Sequence, residues 1–223
     1  IDAAQAFANA VVNELKTDKG VHAETAVASV ARMAGTFLFR SFGFQLAGYR
    51  GPETGVRDRA SYLLVQDKVR FVLTSAMHPD SPIAAHHRQH GDGVRDLALW
   101  VDDCRASYAY AMAHGAVAVQ EPTVLSDDQG EVVTAAIRTY GDTVHSLVER
   151  RNYRGLFLPG FRPATSRFAP AAVGLKYVDH CVGNVELGRM DAWVAFYQQV
   201  MGFTNMKEFV GDDIATEYSA LMS

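Results

Sequence analysis

The sequence predicts an α+β protein built of repeated βαβββ modules behind a helical hairpin, and three observations predict it. Apolar residues recur at helical spacing through the first 40 positions, short β-rich segments set in at Phe44, and the order of elements found after Val94 starts again at Leu175. The 223 residues, 48% of them hydrophobic, suffice for one large domain or two small ones with a genuine core.

The hairpin comes first. Ala3, Phe7, Ala10, Val11 and Leu15 follow a possible Asp2 cap, and Thr17-Asp18-Lys19-Gly20 supplies a turn. Ala26, Val27, Val30, Met33, Ala34, Phe37 and Leu38 then keep one apolar face up to Ser41-Phe42-Gly43. Strands are expected at Phe44 to Tyr49, Ala60 to Val65 and Val69 to Thr74, broken by the turn formers Gly51-Pro52 and Gln66-Asp67. A loop and a short helix lead to a strand at Val94 to Val101, and an amphipathic helix runs from Cys104 to His114, where Gly115 ends it. Strands at Ala116 to Leu125 and Val132 to Tyr140 flank the hairpin turn Asp127-Asp128-Gln129-Gly130, and Val144 to Glu149 completes a βαβββ unit. Residues 151–172, rich in Pro, Ala and Ser toward their end, read as a linker. Beyond it come a strand at Leu175 to Val182, a helix at Asp191 to Met201, and strands at Phe203 to Val210 and Ile214 to Met222.

Charge and composition exclude several classes of partner. The net charge is -4, and no cluster of Lys and Arg offers the positive surface that nucleic acid requires. Cys104 and Cys181 stand far apart, a usage that suits a reducing compartment and gives no paired-cysteine metal spacing, so the cytoplasm is expected. No apolar run is long enough to span a bilayer and no leader pattern opens the chain, so no membrane association is expected. The first residue is Ile1 rather than Met, which suggests an excerpt or a processed end.

The residues that bear on chemistry gather after the linker. On a strand through Tyr177-Val178-Asp179-His180-Cys181-Val182-Gly183-Asn184, the side chains of Val178, His180, Val182 and Asn184 share one face while Asp179 and Cys181 share the other. His180 would then look into a cup with an apolar floor, and Cys181 would be a small buried hydrophobe. Other candidates favour structural readings. His86 and His90 stand one helical turn apart, but no Glu flanks the first and no third ligand is in view, so a solvated helix is expected. Asp96 occupies the repeat position analogous to His180 and is read as structural. The pairs Asp102-Asp103, Asp127-Asp128 and Asp212-Asp213 sit at strand ends and turns, where Asp caps the local backbone.

Several motifs carry a resemblance. Gly43-Phe44-Gln45-Leu46-Ala47-Gly48-Tyr49, Arg70-Phe71-Val72-Leu73-Thr74-Ser75, His90-Gly91-Asp92-Gly93-Val94 and Leu156-Phe157-Leu158-Pro159-Gly160 resemble the non-catalytic amino-terminal domain of 4-hydroxyphenylpyruvate dioxygenases. The stretch from Tyr177 through Trp193-Val194-Ala195-Phe196-Tyr197 to Ser223 resembles the start of their catalytic half. The resemblance covers about residues 41 to 223, and residues 1–40 do not match it, since that family's domain opens with a β-strand. It implies the vicinal oxygen chelate fold, with 1–40 as a foreign hairpin, 41–150 as a non-catalytic domain, 151–172 as the linker and 173–223 as the first module of an incomplete catalytic domain. A missing first strand would leave a sheet edge, for which the first helix of the hairpin is the expected cover.

By the same resemblance His180 is the first of three ligands to Fe(II), Val182 and Ser223 line the substrate pocket, and the other two ligands lie in segments the chain does not contain. Two histidines and a carboxylate on one face of the metal leave room for substrate and dioxygen. The implied reaction turns a small 2-oxo acid, 4-hydroxyphenylpyruvate, and dioxygen into homogentisate and carbon dioxide, a step of tyrosine catabolism. A homo-oligomer is expected. The chain alone is expected to be inactive, as a fragment or a chimera. Two alternatives stay open: 4-hydroxymandelate synthase, which shares substrate, iron and fold, and a non-catalytic module used for binding or assembly.

Overall fold

The computed structural model describes residues 16–17, 20–21, 38, 41–166, 170–205, 208–209 and 221–222. They fall into two compact units that interleave along the chain, Ile1–Gly93 with Leu156–Asp179, and Val94–Gly155 with His180–Ser223. Most of the expected hairpin of residues 1–40 lies outside the described residues. Within it, β1 (Lys16–Thr17) pairs antiparallel with β2 (Gly20–Val21) across the expected turn and Leu38 is helical, as are Ser41 and Phe42 just beyond it.

The first unit is a four-stranded antiparallel sheet. β3 (Gln45–Arg50), β4 (Arg59–Gln66) and β5 (Val69–Ala76) follow one another in a meander, as the turn formers predict. Asp67 turns the chain between β4 and β5 at φ 49°, a conformation that Asp adopts more readily than most residues, and its carboxylate pairs with the Lys176 ammonium at 3.3 Å. Phe44, Leu64 and Val69 pack as the core with Leu46 and Leu73 against them. Burying each such side chain contributes about 1.5–3 kcal/mol. Helix α1 (Pro82–His90) starts where Ser81 accepts a hydrogen bond from the Ala84 amide and Pro82 takes a position that needs no amide donor.

The sheet edge at β3 is covered by a segment from later in the chain, while the hairpin helix expected to cover it lies outside the described residues. A two-residue strand, β10 (Arg162–Pro163), from the segment read as a linker, pairs with Tyr49 and Gly48 of β3 and takes that edge. Pro163 suits an edge, where its lack of an amide donor costs nothing. From Leu156 onward the expected linker therefore builds the first unit. Its continuation is strapped down as well: Gln45 donates to Pro170 O at 2.7 Å, and the buried Gln66 carboxamide accepts from the Gly174 and Leu175 amides at 3.0 and 2.8 Å. Gly43, at φ 69°, is required where the strap passes, because a Cβ there would collide with the Ala171 carbonyl.

The second unit contains the expected βαβββ order in one sheet. β6 (Leu99–Trp100) runs parallel to β9 (Val144–Glu149), and β7 (Ala118–Asp127) and β8 (Gly130–Arg138) continue it antiparallel, giving the order β6-β9-β8-β7. The turn at Asp127–Gly130 forms as predicted, with Asp127 Oδ1 accepting from the Gln129 amide at 2.9 Å. Helix α2 (Cys104–Ala113) is capped by Asp103, whose carboxylate accepts from the Ala106 amide. It covers one sheet face through Cys104, Val133, Ala135 and Leu147.

One strand is shorter than predicted. The expected run Val94 to Val101 reduces to β6 and an isolated bridge at Asp96, because the Asp96 carboxylate accepts the Ser146 amide at 3.0 Å and the Ser146 hydroxyl at 2.6 Å in place of a regular ladder. Helix α3 (Met190–Met201) matches its prediction. Of the last two expected strands, only β11 (Glu208–Phe209) and its antiparallel partner β12 (Leu221–Met222) are described, and Phe203 to Asn205 are irregular.

Candidate functional site

The segment that carries His180 is not a strand. Residues 171–186 are irregular, and no described residue pairs with them in a ladder. A strand exists only through its partners, and here Gly174 and Leu175 bond to Gln66 while the Lys68 amide bonds to the Lys176 carbonyl at 2.9 Å. The expected alternation of faces is therefore absent. His180 is exposed, and so are Val178 and Val182, at 52% and 61%. Cys181 is exposed too, which overturns its reading as a buried hydrophobe. Ser223 lies outside the described residues.

Beyond His180 the chain returns to order against the second unit's sheet. Trp193, Phe196, Tyr197 and Val200 recur at helical spacing on α3, and Phe196, Val200 and Met201 join Ala111, Ala116 and Ile137 in a second core cluster. Within this packing sits a polar chain in which Thr139 and His145 are buried and Tyr197 is half-buried. The His145 Nδ1 lies 2.9 Å from the Leu97 carbonyl, which can only accept, so Nδ1 carries the hydrogen and Nε2 accepts from the Tyr197 hydroxyl at 2.9 Å. Tyr197 Oη in turn lies 3.0 Å from Thr139 Oγ1, which donates to it. Burial pushes the Tyr197 hydroxyl up to about 12, against a lowering by the Thr139 bond and a raising by Tyr140. His145 itself is 2% exposed.

These residues were not singled out from the sequence. The available signal was Tyr197 on the apolar stripe of α3 and one histidine inside the otherwise apolar run Val144 to Val148. Asp96 is structural as expected, bonded to Ser146. His86 and His90 lie one turn apart on α1 with ring centroids 4.6 Å apart. Cys104 is fully buried, its thiol donating to the Leu147 carbonyl at 3.4 Å, and burial with the nearby Glu149 carboxylate pushes it up to about 11.

One exposed imidazole is a suitable donor to a ferrous ion, but it is one donor. Among the described residues, no set of three histidine, cysteine or carboxylate groups close enough to share an ion includes His180. His180 thus offers one donor of a kind that suits such an ion, and no described residue joins it to complete a set.

The βαβββ sheet with its crossover helix defines a protein of the vicinal oxygen chelate fold. A family model described as hydroxyphenylpyruvate dioxygenase, amino-terminal, matches residues 23–157, and the chain belongs to the hydroxyphenylpyruvate dioxygenase family. The match enters the segment 1–40 that the motifs alone set apart. A 4-hydroxyphenylpyruvate dioxygenase of Caenorhabditis elegans is 43% identical over 198 residues, 86% of this chain and 50% of that protein. One from Yarrowia lipolytica is 37% identical over 222 residues, 96% of this chain and 56% of the relative. Among solved structures, a mutant of 4-hydroxymandelate synthase from Streptomyces coelicolor superposes with a TM-score of 0.66 at 32% identity, covering 79% of this chain and 50% of that one. The chain spans about half the length of the curated relatives it matches.

Proposed function

We propose that the chain contributes to an Fe(II)-dependent dioxygenase that converts 4-hydroxyphenylpyruvate and dioxygen to homogentisate and carbon dioxide in tyrosine catabolism. Identity of 37–43% to 4-hydroxyphenylpyruvate dioxygenases along most of the chain carries this reading. In it, His180 is the first iron ligand, and Val182 and Ser223 line the pocket of the 2-oxo acid. Iron, when bound by a full donor set, would supply the site at which the 2-oxo acid and dioxygen meet. The remaining residues of this chain hold and orient that ligand, and the domain of residues 41–150 has a structural part. The protein works in the cytoplasm, as a homo-oligomer, without nucleic acid. No helix among the described residues is long and apolar enough to cross a membrane.

The structural likeness to a 4-hydroxymandelate synthase favours a second reading, in which the same substrate is hydroxylated on its side chain. Oxygen uptake with 4-hydroxyphenylpyruvate, followed by product analysis, separates the two. The 223-residue chain is expected to consume no dioxygen, and a form continued past Ser223 to the length of the relatives is expected to yield homogentisate. Hydroxymandelate would establish the second reading, and inactivity of the continued form would leave a binding or assembly module.

A further inference from the structure

At one end of the second unit's sheet, three residues hold the chain on both sides of the turn that enters α3. Thr139 and Tyr140 follow β8, and His145 is the second residue of β9. Thr139 and His145 grip the Tyr197 hydroxyl at 3.0 and 2.9 Å. The Tyr140 ring meets Trp193 edge-on, with centroids 5.4 Å apart and planes at 88°. The same Tyr140 also lies against Gly183, where any Cβ would collide with its phenol oxygen. The turn that presents these residues is itself closed, the Thr139 amide bonding to the Thr143 carbonyl at 3.1 Å and the Thr143 amide to the Tyr140 carbonyl at 3.2 Å.

We propose that Thr139, Tyr140 and His145 are positioning residues for His180, anchoring the chain at Gly183, Trp193 and Tyr197 so that the imidazole hangs on a short tether. Two residues, Cys181 and Val182, separate His180 from Gly183, so its Cα stays within roughly 11 Å of that anchor. The anchor at Tyr197 is polar, its hydroxyl held between the buried Thr139 and His145. Misplacing α3 would strand a hydroxyl and an imidazole without partners, which penalises alternative placements more sharply than apolar packing does. A unit with no described iron-site donor set of its own thereby fixes where the proposed ligand stands. The purpose of the clasp rests on the reading of His180 as a ligand, while its geometry does not.

Amide spectra of the metal-free 223-residue chain test it. Tyr197→Phe and Tyr140→Ala are each expected to shift or broaden the resonances of His180 to Gly183 and the Trp193 indole, with those of β3, β4 and β5 unchanged. Gly183→Ala, which leaves the Tyr197 hydroxyl and its two bonds in place and drives a methyl against Tyr140, is expected to move the same set. If the first two variants lower the melting temperature but leave His180 to Gly183 in place, the network only packs and the proposal falls. Should Tyr197→Phe not fold, Thr139→Val keeps the His145 bond and gives the same reading. In a form continued past Ser223, Tyr197→Phe is expected to weaken Fe(II) retention by about 10-fold. Normal iron retention in His180→Ala would remove the ligand reading and leave the clasp to the spectra.

Discussion

The Tyr197 hydroxyl is the residue on which the second unit's polar interior turns, because it accepts from Thr139 while donating to His145. Tyr197→Phe keeps the ring in the cluster with Phe196 and Phe203 but leaves the buried His145 nitrogen without its donor. It is expected to cost about 1–3 kcal/mol in urea unfolding, and an unchanged midpoint would show that water replaces the bond. The two cysteines give a second check. With Cys181 exposed and Cys104 fully buried, one thiol should react quickly in the native protein and the second only after unfolding. Cys104 also makes stability depend on pH. Its thiol has an ordinary value of 9.0 and rises to about 11 in the fold, so between these values the unfolded chain has released a proton that the folded chain keeps. The contribution is therefore complete below pH 9 and is lost as pH rises toward 11. Cys104→Ala should flatten the decline of the unfolding midpoint over that window, and identical slopes would contradict the assignment.

Among the elements, those with partners close in sequence were legible and those with distant partners were not. The meander β3 to β5, the hairpin β7 to β8 and the helices α2 and α3 follow from turn formers, caps and apolar spacing, all of which act within a few residues. The run Leu175 to Val182 has a strand's composition, yet its neighbours were claimed by Gln66 and Lys68, more than a hundred residues earlier. Asp96 likewise interrupts its strand through Ser146, 50 positions away. The cover of β3 by Arg162–Pro163 could not be foreseen from a segment whose composition is that of a linker. Of the candidate site, His180 was legible through its motif, whereas its exposure and the His145 to Tyr197 connection depend on where α3 docks. The strap yields a prediction of its own. Gln66→Ala removes acceptors from Gly174 and Leu175 and the 2.5 Å bond to the Phe42 carbonyl. Amide exchange at Gly174 and Leu175 should accelerate while that of β4 and β5 stays slow, and unaltered exchange would mean that other contacts hold the strap.

For the molecule as a whole, the chain joins a family's amino-terminal domain to a segment in which one histidine stands exposed. The fold and the family account for nearly every described element, and the chemistry proposed for it depends on that single imidazole being offered to a metal. Iron retention after gel filtration, compared between wild type and His180→Ala in a form continued past Ser223, tests this most directly. The account predicts about one Fe(II) per chain in the wild type and loss of iron in the variant with its circular dichroism unchanged. Equal iron content in the two proteins would contradict it.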